Sequence, residues 1–379
     1  MGGVKPIDHT SMKSSTSEPE GGALIDPSFA ESEARSARLE EAIHSNPAAH
    51  RVLTGDRPTG HLHLGHYFGT LQNRVRLQNL GVQMFVLVAD YQTITDRDSP
   101  ESLPDDVDAL VTDYLAVGID PERATIFAHS QVEALNQIFL PFLSLVSVAE
   151  IGRNPTVKDE MVASGQAAMS GLMFTYPVHQ AADILFCKGT VVPVGKDQVP
   201  HLELARLIAR RFNRRYSPDR PYFPEPDALL SDAPVLLGTD GQKMSKSRNN
   251  SIPLSATTDE TARMISRAKT DSDRHITYDP VNRPEVSNLL LLAALCLDWK
   301  PKSVAEQVGD GGSAALKRLV TEVVNEHFRE IRARRTELVR DRGYLRQVLL
   351  SGNERAREIA RETLSDVKRL MHTEYGDTH

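Results

Sequence analysis

The sequence predicts an α/β fold, a parallel sheet with helices packed on it, followed by an α-helical C-terminal domain. Three observations lead there. Short apolar runs alternate with helical segments as far as about residue 255, strand signals stop at that point, and 379 residues suffice for two or three domains. The expected division is 1–48 for an N-terminal extension, 49–254 for the α/β domain and 255–379 for the helical domain.

Residues 1 to about 25 are rich in Ser, Gly, Pro and Thr without hydrophobic period, and read as disordered. Pro27 to Ala42 reads as a short charged helix, part of an extension that is either regulatory or merely tolerated, with tolerance the favoured reading. Arg51-Val-Leu-Thr54 reads as a strand entering the loop Gly55–Gly60, and a helix follows from about Leu64 to Leu80. The apolar run Met84-Phe-Val-Leu-Val-Ala-Asp90 suits a buried parallel strand. Asp105 to Val117 reads as a helix stopped by Gly118, and Thr125-Ile-Phe-Ala128 as a strand. Helical segments fill about 131–150, Thr190 to Val194 is a strand, and a helix runs from about Gln198 to Asn213. Beyond 255, segments 286–297, 313–341 and 353–372 read as amphipathic helices separated by Gly and Asp turns.

Composition excludes several classes. With 40% hydrophobic and 25% charged residues the chain is an ordinary globular one, and its net charge of −7 announces no nucleic-acid binder. A local basic surface would suffice for one, and 317–379 carries 14 Lys and Arg against 11 Asp and Glu. The only cysteines, Cys187 and Cys296, form no cluster, which argues against a structural metal or disulfides and fits a reducing cytoplasm. The longest apolar run, Asn288 to Leu297, falls short of the roughly 20 residues of a membrane span, and no secretory signal is expected.

Chemistry concentrates in three places. In Gly55-Asp-Arg-Pro-Thr-Gly-His-Leu-His-Leu-Gly-His66, glycines let the backbone approach a ligand, and Pro58 stiffens the loop. His63 and His66 share one face of a helix start, where free N–H groups favour phosphate, and Gly65 leaves room for a flat ring. Such imidazoles suit stabilisation of a transferring phosphoryl group; a zinc pair or incidental histidines are the alternatives. Gly238 to Asn250 is a polar loop whose Lys243 and Lys246, with Ser245 and Ser247, suit the outer phosphates of a nucleotide, though by itself such a loop also reads as solvated surface. In Tyr176-Pro-Val-His-Gln-Ala-Ala-Asp-Ile184, Asp183 sits among apolar residues. It is either a helix cap or a buried acceptor for an aromatic substrate's N–H or O–H.

His63-Leu-Gly-His66 and Lys243-Met-Ser-Lys-Ser247 resemble the "HIGH" and "KMSKS" signatures of class I aminoacyl-tRNA synthetases, in family order. The resemblance runs from about Arg51 to near the C-terminus and implies a Rossmann-like catalytic domain. It makes His63, His66, Lys243 and Lys246 catalytic. It assigns ATP to Arg57, Pro58, Thr59, Gly65, His66, Gly195, Lys196, Asp197 and to Lys243, Met244, Ser245, Lys246 and Ser247.

The Ala-Ala-Asp183-Ile184 and Val192-Pro-Val-Gly-Lys-Asp-Gln198 segments are similar to the tryptophan branch of that family. This implies that Asp183 accepts an indole N–H, Val192 and Val194 wall the ring, and Tyr176 and Gln198 hold the amino-acid end, with Gln180, Gln92 and Gly55 bordering the pocket. It also implies L-tryptophan, ATP with Mg²⁺ and tRNA(Trp) as partners. A homodimer, no protein-ligated metal, and a helical domain that reads the anticodon are implied as well. Arg57, Gln92 and Gln180 depart from the common pattern of Gln, His and Met, and Gln180 has some likeness to tyrosine enzymes. A tyrosine enzyme or a non-charging tRNA-binding paralogue are the alternatives.

Overall fold

The computed structural model describes residues 27–93, 101–154, 169–195, 199–230, 235–246 and 248–375. The segment expected to be disordered lies outside them. Five strands form one sheet: β1 (Arg51–Asp56), β2 (Gln83–Val88), β3 (Ala124–Ala128), β4 (Val191–Val194) and β5 (Asp227–Leu230), in the order β3-β2-β1-β4-β5. All four pairings are parallel, with Val52 opposite both Met84 and Val191. Successive residues feed different cores. Val52, Met84, Val86 and Ile126 face one hydrophobic cluster, while Leu53, Phe85, Leu87, Phe127, Val192 and Val194 face the other. Burial on both faces explains why the strands read as continuous apolar runs.

The chain order of helices is as follows. α1 is Pro27–Ser45. α2 begins as Leu64–His66, passes through a π-helical turn at Tyr67–Leu71 and continues as Gln72–Leu80. α3 is Leu103–Val117, capped as predicted by Gly118 at φ 108°. α4 is Glu133–Leu143, α5 Gly171–Phe186 and α6 Val199–Tyr216. The C-terminal part is helical: α7 (Thr258–Arg267), α8 (Pro284–Leu297), α9 (Pro301–Val308), α10 (Gly312–His327), α11 (Arg329–Leu338) and α12 (Arg342–Leu370).

Several boundaries differ from expectation for physical reasons. The second strand ends at Val88; Asp90 opens a short helical turn and is buried against Ser130, which bonds it through backbone N–H at 3.1 Å and hydroxyl at 2.5 Å. β5 was not foreseen, being four residues long with three of them half-buried. The segment 313–341 is two helices, hinged where Phe328 plunges into the core. The last helix starts at residue 342 instead of 353, so Gly352 lies inside it. There the absent side chain lets α12 touch β3: a Cβ on Gly352 would stand 1.8 Å from the Ile126 carbonyl oxygen.

Both sheet edges are covered, which removes the template an open strand offers to other chains. On β5, the Leu230 N–H donates to Ser36 Oγ of α1 at 2.9 Å. On β3, the Ala128 N–H donates to Asn353 Oδ1 of α12 at 2.9 Å. α1 is further tied by Arg35 to Glu203 of α6 (2.7 Å) and by Glu40 to Arg76 of α2 (2.6 and 3.1 Å). The helical extension is therefore an integral cover of the sheet.

Candidate active site

In a parallel sheet the strand order reverses at one point, and ligands bind beyond the C-terminal ends of the strands there. Here that point lies between β1 and β4. β1 runs out into the loop of Arg57, Pro58, Thr59 and Gly60, and β4 into Gly195. Gly60 has φ 101°, a conformation that favours glycine. Gly55 is required by the sheet itself, since a Cβ would lie 2.3 Å from Leu87 O.

The two motifs separated by 177 residues meet at this point. The chain after the lysine loop runs beside the start of α2: Leu64 N–H donates to Ile252 O (3.0 Å) and Leu254 N–H to Leu62 O (2.8 Å), with His63 bridged to Pro253. Lys246 Nζ donates to Gly60 O at 2.8 Å and approaches Thr59 Oγ1 at 3.4 Å. Met244 is buried, and a Cβ on Gly65 would meet its sulfur at 3.6 Å and the His63 ring at 3.0 Å. A side chain at Gly65 would therefore crowd the His63 ring, so the close packing of the two motifs needs a glycine there. Lys243 is exposed at the bridge to Leu237. Ser245 lends its backbone N–H to Asn250 (2.8 Å); Ser247 lies outside the described residues.

The histidines are poised as neutral donors. Their ring centroids are 3.7 Å apart. Burial, reinforced by His66 and Lys246, pulls His63 down to about 3. Burial also pulls His66 down to about 4, against the opposing pull of Asp56 and with Lys246 and Arg74 assisting. His66 Nδ1 accepts the His63 backbone N–H at 3.2 Å, so the proton of the neutral ring sits on Nε2 and can be donated outward.

Beneath them lies a cluster that sequence reading missed. Arg74 donates to Asp56 Oδ2 at 2.6 Å and Tyr114 OH to the same oxygen at 2.8 Å. Burial would raise the Asp56 carboxyl, yet the Arg74 guanidinium and Tyr114 overcome it and hold it at about 2. The lysine loop has its own clasp: Asn250, buried, also donates to Asp240 Oδ1 (2.7 Å) and Lys243 O (3.2 Å).

The second half of the site lines the other face of the sheet. Asp183 is 1% exposed on α5, between Ala182 and Ile184, which are buried in the same cluster as Val192 and Val194; it is not a helix cap. His129, directly after β3, faces Asp183 Oδ1 from Nε2 at 2.5 Å. The His129 ring lies 4.6 Å from that of His179 and 6.3 Å from that of Tyr91, and His179 Nε2 bonds Asn136 Oδ1 at 2.9 Å. Asp183 Oδ2 and His129 Nδ1 are buried without a partner among the described residues. Gln180, half-buried, stands one turn before Asp183, and Gln92 lies in the turn that packs beside His129. The Tyr176 hydroxyl bonds His201 Nε2 at 3.0 Å. Lys196, Asp197 and Gln198 lie outside the described residues.

His129, His179 and Asp183 bring ligand atoms within 4.8 Å of one another, a set that a metal ion could use. Two ligands of tetrahedral zinc, with bonds of about 2.0 Å, stand about 3.3 Å apart. The His129–Asp183 separation of 2.5 Å is too short for two ligands of one such ion and is that of a direct, short hydrogen bond. The one sequence signal for His129 was its place at the C-terminal end of a parallel strand.

Comparison with known proteins shows the family. Residues 46–329 match the family of class I tRNA synthetases for tryptophan and tyrosine. A Streptococcus pneumoniae tryptophan–tRNA ligase is 38% identical over 340 residues, covering 86% of this chain and 98% of that one. The tryptophanyl-tRNA synthetase of Campylobacter jejuni, solved with ADP and tryptophan, superposes with a TM-score of 0.74 at 33% identity, over 85% of this chain and 99% of that one. A tyrosyl-tRNA synthetase from Archaeoglobus fulgidus shares the fold, with a TM-score of 0.62 at 22% identity over 80% of this chain and 94% of that one.

Proposed function

The chain belongs to the class I tRNA synthetases for tryptophan and tyrosine, and we propose that the site described above is where it ligates tryptophan to tRNA. The observation that carries this reading is the docking of Lys246 on Gly60 beside the two histidines, which unites both ATP motifs at the sheet's switch point. ATP lies along the 57–60 loop, with its α-phosphate toward His66 Nε2 and its outer phosphates toward Lys243 and Lys246. Gly65, Met244, Ser245, Ser247, Gly195, Lys196 and Asp197 complete that half. Mg²⁺ accompanies the phosphates. Tryptophan places its ring against Val192 and Val194, its N–H on Asp183, and its amino-acid end toward Tyr176 and Gln198, with Gly55, Gln92 and Gln180 at the border.

The substrate carboxylate attacks the α-phosphorus, the α–β anhydride bond breaks, and pyrophosphate leaves with the charge that the lysines and imidazoles offset. The terminal ribose hydroxyl of tRNA then attacks the acyl carbon and AMP departs. The protein contributes position and electrostatics. The domains divide near residues 49 and 255, and basic residues of 317–369 read the anticodon. Leu172 of α5, with Leu140 and Val148 on two elements that each pack against α5, is exposed, and these three support pairing with a second copy. Among the described residues no helix is long and apolar enough to cross a membrane, and the reaction belongs in the cytoplasm.

The test is amino-acid-dependent ATP–pyrophosphate exchange, with tryptophan and tyrosine in parallel. Exchange with tryptophan alone establishes the reading. Exchange with tyrosine alone, or with neither in folded protein, overturns it.

A further inference from the structure

A carboxylate that is 1% exposed needs compensation, because burying an anion without partners is prohibitive. Asp183 has one partner among the described residues for Oδ1, His129 Nε2 at 2.5 Å, and none for Oδ2. We propose that His129 sets the specificity of the ring pocket: by donating from Nε2 to Oδ1 it fixes the Asp183 carboxylate in place and leaves Oδ2 as the sole acceptor, available to one ring N–H. This rests on the reading of Asp183 as the indole acceptor.

The imidazole is itself held. Its ring packs against those of Tyr91 and His179, with centroids 6.3 and 4.6 Å away and planes inclined by 24° and 31°. His179 is oriented in turn by Asn136. The ring plane therefore stays aimed at α5, and Nε2 keeps its proton on the carboxylate side. A side chain without a donor at position 129 would leave Asp183 buried and uncompensated on both oxygens. The carboxyl would then take up a proton or turn away, and an acceptor that is protonated or turned aside no longer discriminates by the N–H. His129 acts through Asp183 and is a positioning residue.

The experiment uses ATP–pyrophosphate exchange with tryptophan and with 1-methyltryptophan, whose ring nitrogen carries no hydrogen. A site built on a hydrogen bond rejects such an analogue by a factor of about 10⁴ or more. His129→Met removes the donor at similar bulk, and His129→Gln retains a donor. The proposal requires that His129→Met raise the KM for tryptophan at least tenfold, leave the KM for ATP within twofold, and lower the preference for tryptophan over 1-methyltryptophan at least tenfold. His129→Gln should restore that preference to within threefold of the parent. A folded His129→Met protein with undiminished preference overturns the proposal, since a merely structural histidine would alter stability and not the ratio.

Two controls close the remaining routes. Nitrogen NMR on the unaltered protein must show a protonated His129 Nε2, and a bare Nε2 overturns the proposal even where His129→Met fails to fold. Asp183→Leu, which removes the acceptor at similar bulk, should abolish the preference; if it does not, the proposal falls together with the reading beneath it, whereas failure of His129→Met alone leaves that reading standing.

Discussion

Lys246 Nζ lies 2.8 Å from the carbonyl oxygen of Gly60, so the second motif reaches the loop of the first directly. The contact is to a neutral acceptor, which phosphate oxygens with full charge would outcompete. We expect Lys246→Ala to lower tryptophan-dependent pyrophosphate exchange by about 10²–10³-fold, the range for removing one donor aimed at developing charge. Tryptophan binding by calorimetry should stay within threefold. An exchange rate near that of the parent would exclude Lys246 from the transition state.

The paired histidines predict an acid-sensitive fold. His63 and His66 titrate at about 3 and 4 in the folded chain against the ordinary 6.5. Between those values the unfolded chain binds more protons, so stability is fully present above about pH 6.5 and is lost as pH falls toward the folded values. Urea unfolding followed from pH 7 to 5 should show this decline. His63→Asn should remove as much as about 1.4 kcal/mol per pH unit from its slope, one proton's worth. An unchanged slope would mean that His63 is not buried as a neutral ring.

Asp56 and Arg74 form the staple between β1 and α2. Breaking a buried pair by removing one partner typically destabilises by about 3–5 kcal/mol, and Arg74→Met should fall in that range. Tyr114→Phe, which deletes only one hydrogen bond to the same oxygen, should destabilise by about 1–2 kcal/mol. The Asp56 carboxyl is held at about 2 from an ordinary 3.8. Its contribution is thus present above about pH 4 and lost as pH falls toward 2, and Asp56→Asn should flatten unfolding stability in that window. Equal acid profiles for parent and variant would contradict the assignment.

Legibility in the sequence followed the range of the interactions. Buried parallel strands such as 83–88 announce themselves by local composition, and both ATP motifs are contiguous strings. β5 had no such signal, because its pairing with β4 and its cover by α1 are set by residues far away in the chain. His129 and Asp183 are 54 residues apart and become partners only when β3 and α5 pack. Asp56 and Arg74 read as ordinary polar residues until the packing of α2 sets Arg74 against the end of β1. Gly352 misled outright, since glycine in a polar stretch suggests a turn and its actual cause is a backbone on another element.

That contact gives the last prediction. Inside a helix, alanine is favoured over glycine by about 1 kcal/mol, so Gly352→Ala would stabilise α12 if nothing opposed it. A Cβ there would meet Ile126 O at 1.8 Å and Ile126 C at 2.7 Å, and these are backbone atoms of a central sheet that no rotamer change can move aside. Helix and strand must separate, which strains the neighbouring bond from Ala128 N–H to Asn353 Oδ1. Overpacking typically costs about 1–3 kcal/mol, so the net change should be a loss of stability, measured as a lower urea midpoint. Because His129 follows Ala128 directly, the displaced strand end should also raise the KM for tryptophan while leaving that for ATP unchanged. A Gly352→Ala protein as stable as the parent would show that α12 does not press on β3 in this way.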